Sequence, residues 1–211
     1  MPVERPNLDL GAAIVGLVVL NVLTVSVLDE GPAALVQVVA AIGAVVAARR
    51  RGYSSDDLGL SRRSLPAGLR LGGALSAVVV VGVVAIATLP FTRDFLDDDR
   101  FVGLSGWEAA YEVLVRIPIV TALSEELLFR SVLLAVMLAL AGTRRAVVVS
   151  SVVFGFWHVL TALDDLDENA MTESLEATGR VGGVIGVVAA TSIAGVVFAW
   201  TRLRSGSIVA P

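Results

Sequence analysis

Five long stretches without a charged side chain constrain the fold of this 211-residue chain more than any other feature. A membrane-spanning helix needs about 20 consecutive apolar residues, and the five stretches cover residues 10–28, 31–48, 71–92, 146–163 and 181–201. Charged residues make up 17% of the chain, whereas soluble domains carry about 25%. We therefore expect an all-α, polytopic transmembrane helical bundle. Cysteine is absent, which excludes a disulfide framework and thiolate chemistry.

The charges between these stretches alternate in sign along the chain. Basic residues cluster at 49–63, 144–145 and 202–204, and acidic residues cluster at 29–30, 94–99 and 164–176. Basic loops face the cytoplasm, so we expect a multi-pass protein of the cell membrane with a cytoplasmic N-terminus and contacts to membrane lipids. The first stretch is longer than a signal-peptide core, which favours a retained first span. No basic nucleic-acid-binding domain stands out, so no nucleic acid is expected as a partner.

The alternation requires residues 107–141 to cross the membrane once, which gives about six spans, with residues 207–211 as the start of a truncated further helix. We expect this segment to begin at the interface near Trp107 and Tyr111 and to bend at Pro118. A helical wheel predicts one polar stripe facing the bundle interior or water, if the bend at Pro118 does not rotate it. Its members would be Glu108, Glu112, Arg116, Glu126 and Arg130.

Two segments place ionisable groups where hydrocarbon should exclude them. The first contains Glu125, Glu126 and Arg130, and the second contains His158, the single histidine of the chain. Ionisable groups at membrane depth are costly and are functional candidates by default. Measured along ideal helices from the inner face, His158 lies at about 18 Å and Glu125 at about 24 Å. The two segments can therefore meet near the middle of the membrane.

Each acidic residue has a structural and a functional interpretation. Glu126 and Arg130 are four residues apart on one helix face, which favours a simple ion pair. Glu125 points elsewhere and has no obvious local partner. It is either a general base that activates water or a protonated, hydrogen-bonded structural acid, and the sequence leaves both open.

His158 also has two interpretations. It shares a helix face with Phe154, and a lone histidine in an apolar span commonly packs and hydrogen-bonds between helices. Its predicted depth also suits a partner for Glu125. We interpret Trp157 as a packing or lipid-contact residue.

The two segments together resemble a known family. Their patterns are Glu125-Glu126-x-x-x-Arg130, with Phe129 before the arginine, and Phe154-x-x-x-His158. They resemble the first two motifs of the CPBP family, the CAAX-prenyl-protease and bacteriocin-processing, or Abi, intramembrane proteases. This family includes the type II CAAX prenyl endopeptidases. The resemblance covers residues 107–211 and implies a catalytic core there, preceded by N-terminal spans at 1–106 within one membrane domain.

The resemblance implies an intramembrane endopeptidase acting on a membrane-associated peptide or protein. Glu125 would activate the hydrolytic water, Arg130 would hold Glu126, and His158 would bind a metal or stabilise the oxyanion. Glu125 and His158 are the implied metal ligands, with zinc as the metal, and a metal-free glutamate mechanism is the alternative. Phe129 and Phe154 would support the site.

The family usually carries a further histidine, with an asparagine one turn later, after a Ser-Ile-x-x-Pro sequence. The chain stops at Pro211, before either residue, and we interpret this as truncation. The alternative function is a catalytically inactive membrane scaffold, an immunity-type protein or a regulatory pseudoprotease. A small transporter is a weaker alternative, because no internal repeat is evident.

Overall fold

The computed structural model describes residues 6–88, 105–168 and 177–211, and the regular structure in these ranges is entirely helical. The elements are α1 (Pro6–Ser26), α2 (Glu30–Arg50), α3 (Leu65–Thr88), α4 (Gly106–Tyr111), the π-helix π1 (Glu112–Ala122), α5 (Leu123–Glu125), the π-helix π2 (Glu126–Leu133), α6 (Leu134–Trp157), α7 (Val159–Glu168) and α8 (Ala177–Ser205). The predicted all-α class is confirmed. The acidic clusters at 94–99 and 169–176 lie outside the described residues, and the division at residue 106 stays a prediction.

Five helical stretches in the described ranges are long and apolar enough to cross a membrane. The longest, Gly106–Asp164, is interrupted at Gly142, whose φ of 72° and ψ of 170° are not helical. Glycine adopts a positive φ without the steric penalty of a side chain, so the chain turns here. One helical arm precedes the turn and another follows it. The polytopic helical bundle is confirmed, and the predicted crossing by residues 107–141 corresponds to the first arm.

The outer faces of the bundle carry large aliphatic side chains. Val78, Val81 and Ile193 are each more than 60% exposed, and many other valines and isoleucines share this property. Soluble monomers rarely expose so much contiguous apolar surface. Lipid tails are as apolar as these side chains, so a membrane is the surrounding that this surface fits.

The arm after the turn packs closely against the last helix. Gly155 of α6 faces Ser192 of α8 so tightly that an added Cβ would clash with it and would lie 2.7 Å from the Val188 carbonyl oxygen. Small residues allow such close helix approaches in membranes. Phe129 and Leu133 of π2 are fully buried beside this pair, and α1 and α2 cover π2 from the other side.

Two π-helical segments interrupt the first arm. Pro118 lies inside π1; proline lacks an N–H group and clashes with the carbonyl four residues earlier. A π-helix shifts the bonding from i+4 to i+5, so successive side chains no longer rotate by the angle assumed in an α-helical wheel. The predicted bend at Pro118 is therefore a local change of winding.

The condition for a single polar stripe on this arm, that the bend at Pro118 does not rotate it, is therefore not met. Glu108 is exposed and forms a capping box with Ser105 at the start of α4. Arg116 pairs with Glu112 at 2.9 Å and reaches Glu30 of α2 at 3.7 Å. The Glu126–Arg130 pair lies deeper in the bundle. The arm therefore carries separate polar sites with different burial.

The end of the chain also differs from the prediction. Residues 206–211 form a bend and a turn, so the expectation that residues 207–211 begin a helix is wrong. The Ile208 amide donates to the Gly59 carbonyl at 3.1 Å, which ties this turn to the loop between α2 and α3. Gly72 of α3 packs under the turn, because an added Cβ would lie 2.9 Å from the Val209 carbonyl oxygen.

The same loop contains a polar cluster outside the spans. Arg51 pairs with the buried carboxylate of Asp9 at 2.6 Å, and the Tyr53 hydroxyl donates to Asp9 at 3.5 Å. Burial, followed by the Asp9 charge, raises the pKa of Tyr53 to about 12. The Ser54 hydroxyl, which donates to the Asp57 carboxylate at 2.7 Å, lowers the pKa of Asp57.

Candidate active site

The candidate residues come from both arms of the bent segment. Glu125 ends α5 and Glu126 begins π2, so adjacent carboxylates leave the backbone in different directions. His158 occupies the break between α6 and α7, with φ of −87° and ψ of 1°. Glu125 and His158 are partly buried, whereas the Glu126 side chain is only 12% exposed.

Glu125 meets residues of the second arm. The indole N–H of Trp157 donates to Glu125 Oε1 at 3.1 Å, and the carboxylate interacts electrostatically with His158 and Arg130. Glu125 was expected to have no obvious local partner, and its partner here is 32 residues away in sequence. Trp157, interpreted as a packing or lipid-contact residue, is buried and also donates this hydrogen bond. The Gly142 turn brings the two arms back together, so that the first motif faces the second.

The histidine ring is held in one tautomer by its backbone contact. Nδ1 of His158 lies 2.8 Å from the carbonyl oxygen of Phe154, one turn earlier. A carbonyl oxygen can only accept, so Nδ1 carries the proton, and Nε2 of the neutral ring has a free lone pair. The Phe154 ring packs edge-on against the imidazole with centroids 4.7 Å apart. The free nitrogen can therefore bind water or a cation.

Glu126 and Arg130 form the buried ion pair expected from their spacing. Arg130 Nε lies 3.5 Å from Glu126 Oε1, and the two side chains are only 3% and 12% exposed. The guanidinium stacks over the Phe154 ring at 3.9 Å and lies 4.9 Å from the Phe198 centroid. Such contacts are worth about 2 kcal/mol or more when desolvated. Arg130 therefore links the first motif to α6 and α8.

Aromatic side chains pack against one another beside the two carboxylates. Phe129 packs edge-on against Phe154 at 5.0 Å and against Trp157 at 5.4 Å. Edge-to-face pairs at these separations contribute about 0.5–1.5 kcal/mol beyond area burial. Phe129 and Phe154, chosen from the motifs as supporting residues, thus contact the groups that hold Glu125 and Arg130.

Three residues make contacts at the site that the sequence did not predict. Trp157 stands beside His158 in the second motif, and its single N–H donor was the signal for a polar partner. Asn21 donates from α1 to the Trp157 carbonyl at 3.0 Å, and an amide inside an uncharged stretch was the signal there. Phe198 lies in α8 without any motif to mark it, since only the fold brings it to Arg130.

A metal ion is only partly accommodated by these residues. Glu125 and the free Nε2 of His158 are donor types that zinc accepts, but a catalytic zinc site usually has three protein ligands. Within the described ranges, no group of three or more histidine, cysteine, aspartate or glutamate side chains could hold a metal. The residues described here do not complete a zinc site by themselves.

Two cavities lie elsewhere in the described part of the bundle. One, of about 250 Å³, is lined by Tyr53, Asp57 and three residues of α6; the other, of about 140 Å³, is lined by apolar residues of α1, α2 and π2. Neither lining includes Glu125 or His158. The candidate site is therefore separate from both cavities.

Comparison with known proteins gives one match. Residues 107–211 match the family described as type II CAAX prenyl endopeptidase Rce1-like. The matched segment begins within α4 and contains both motifs of the candidate site. No curated protein and no solved structure matches the chain.

Proposed function

Residues 107–211 belong to the Rce1-like family of type II CAAX prenyl endopeptidases, and on this premise we propose that the chain hydrolyses a peptide bond within the membrane. The observation that carries the proposal is the hydrogen bond to Glu125 from Trp157, the residue before His158, which brings the second motif against the first. The α6–α8 contact and the Arg130 stack support this arrangement. The substrate class is a membrane-associated peptide or protein.

In the proposed reaction, Glu125 is the general base. Its Oε1 accepts the Trp157 N–H, which leaves Oε2 to take a proton from a bound water. The water oxygen bonds to the substrate carbonyl carbon. The carbon–nitrogen bond then breaks as Glu125 returns the proton to the leaving amine, so atoms and charges balance.

His158 and Arg130 have different proposed roles. Nε2 of the neutral His158 ring accepts a hydrogen bond from the same water and orients its attack. Arg130 holds Glu126 and adds a positive charge behind Glu125. It is a positioning residue, because its guanidinium is buried among aromatic rings.

The direct test is peptide cleavage by the protein in lipid nanodiscs. A CAAX peptide is supplied with and without a prenyl group, and products are identified by mass spectrometry. We expect Glu125→Gln to abolish turnover, because an amide cannot take the proton. The matched control is Glu108→Gln, an exposed carboxylate of the same arm, which should retain the activity of the unsubstituted protein.

The outcomes separate the proposal from its alternative. Loss of cleavage in Glu125→Gln with a retained fold supports the protease, and preference for the prenylated peptide defines its substrate. Equal turnover by Glu125→Gln refutes the catalytic role. Absence of turnover in the unsubstituted protein, with its biological role unaffected by Glu125→Gln, favours the membrane scaffold or regulatory pseudoprotease.

Metal dependence and orientation are further parts of the proposal. Zinc would bind Glu125 and His158 only with a third ligand from outside the described residues, so chelation followed by zinc addition separates zinc-dependent from metal-free hydrolysis.

The N-terminus is proposed to be cytoplasmic in the cell membrane, since basic loops face the cytoplasm. Because the chain has no cysteine, Ser54→Cys should react only with thiol reagents that enter the cytoplasm.

A further inference from the structure

The first span contacts the candidate site through one buried amide. Asn21 lies in α1, outside the segment that matches the family, and is 8% exposed. Its Nδ2 donates to the Trp157 carbonyl oxygen at 3.0 Å, across 136 residues of sequence. A buried amide without a partner costs free energy. This hydrogen bond therefore favours one placement of α1 against the end of α6.

The same tryptophan extends the contact to the carboxylate. The Trp157 side chain is buried, and its indole N–H donates to Glu125 Oε1 at 3.1 Å. An indole has one N–H donor and no acceptor, so the ring can serve one oxygen, and the edge contact with Phe129 restricts its orientation. Asn21, Trp157 and Glu125 thus form a continuous hydrogen-bonded chain of residues, which we call the Asn21 bridge.

The Asn21 bridge also reaches the backbone next to His158. Trp157 is the last residue of α6, and His158 follows it in a non-helical conformation. A hydrogen bond to the Trp157 carbonyl therefore fixes the backbone immediately before His158. One side chain of α1 thereby influences the position of both Glu125 and His158.

We propose that Asn21 is a positioning residue that ties the N-terminal spans to the catalytic pair through Trp157. The proposal rests on the proposed function for its kinetic consequence but not for its structural one. It assigns a role to the region before residue 107: α1 completes the geometry of the site although it contributes no group to the reaction. Misplacing a catalytic group by about 1 Å can cost a hundredfold in rate.

An experiment without catalysis tests the bridge in the full chain. The three tryptophans give three indole N–H signals in a nitrogen-15 NMR spectrum of the protein in micelles, and Trp157→Phe assigns one of them. We expect Asn21→Leu and Glu125→Gln each to shift the Trp157 proton signal upfield, as its hydrogen bond weakens. The signals of Trp107 and Trp200, which are exposed, should stay in place.

The matched control is Thr24→Val, one turn along α1. Thr24 donates within its own helix, to the Leu20 carbonyl at 2.9 Å and the Asn21 carbonyl at 3.4 Å, and does not touch the Asn21 amide group, so Thr24→Val should leave the Trp157 signal unchanged. An unchanged Trp157 signal in folded Asn21→Leu overturns the bridge. A shift of all three signals in Asn21→Leu indicates a general loss of structure and also counts against the proposal.

Kinetics separate a failed bridge from a failed function. If the chain cleaves peptide, Asn21→Leu should lower kcat about ten- to a hundredfold, with KM within a factor of about two. The double variant Asn21→Leu with Trp157→Phe should lose less than the product of the two single losses, because the effect on Glu125 runs through the Trp157 ring, whereas the backbone carbonyl before His158 is kept in Trp157→Phe. Full kcat in Asn21→Leu overturns the proposal, whereas inactivity of the unsubstituted protein refutes only the proposed function and leaves the NMR result decisive.

Discussion

Two glutamate–arginine pairs on one arm allow a controlled test of how burial sets the energy of an ion pair. Both pairs have the same i, i+4 spacing. Arg130 is 3% exposed and lies among aromatic rings, whereas Arg116 is 37% exposed. We predict that Arg130→Met destabilises the protein far more than Arg116→Met.

The magnitudes follow from the surroundings of each arginine. Removing one partner of a buried pair costs about 3–5 kcal/mol, because the other charge stays buried without compensation. This range of energies also includes the loss of the guanidinium stacking on Phe154. Exposed pairs contribute about 0–1 kcal/mol, so Arg116→Met should cost no more than this. Neutralising both partners, with Glu126→Gln and Arg130→Met, should recover part of the loss.

The assay is equilibrium unfolding in mixed micelles, followed by circular dichroism, with the free energy of unfolding compared among the variants. The expected order of stability is the unsubstituted protein and Arg116→Met together, then the double variant, then Arg130→Met. Equal costs for the two single substitutions would refute the reasoning. A double variant less stable than Arg130→Met would show that the Glu126 charge is not what makes the single substitution costly.

Two further predictions concern regions away from the site. Tyr53→Phe should remove a tyrosinate absorbance transition near pH 12. The unfolded tyrosine ionises near pH 10 and the folded one near pH 12, so the stability that Tyr53 contributes is present below pH 10 and is lost as the pH rises through 12. Tyr53→Phe should therefore reduce the loss of unfolding free energy between about pH 10 and 12. Tyr111→Phe is the control, and a transition near pH 12 that survives in Tyr53→Phe contradicts the assignment. Gly155→Ala should lower the unfolding free energy by about 1–3 kcal/mol, because the added methyl group meets Ser192. Gly182→Ala is the control and should leave the unfolding free energy unchanged, because an added methyl group has open space there. Equal effects of the two substitutions in unfolding titrations would contradict the tight helix contact.

Much of the fold and part of the site could be predicted from residue patterns. The uncharged stretches identify membrane helices because the hydrocarbon imposes one physical requirement on each of them. The spacing of Glu126 and Arg130 predicts their contact because both lie on one helix, where local geometry decides. Likewise, the predicted depths of Glu125 and His158 placed the two motifs near each other, and the structure joins these motifs through the Trp157–Glu125 hydrogen bond.

What could not be predicted depends on winding and on contacts between distant helices. The α-helical wheel failed to relate Glu108 and Glu112 to Glu126 and Arg130, because π1 lies between the two groups and changes the rotation per residue, which no residue except Pro118 signals. Asn21 meets Trp157 only because α1 packs beside the end of α6. The turn at 206–211 is set by its hydrogen bond to Gly59 rather than by its own helix propensity.

The central claim is that Glu125 and His158 face each other inside the membrane. The chain has no cysteine, so Glu125→Cys with His158→Cys provides the only two thiols, and a short bifunctional thiol reagent measures their proximity in nanodiscs. We predict efficient intramolecular cross-linking of this pair and little for Leu114→Cys with His158→Cys, since Leu114 is exposed on the outer face of π1. Equal cross-linking of both pairs, or none in the first, would contradict the convergence on which the proposed protease depends.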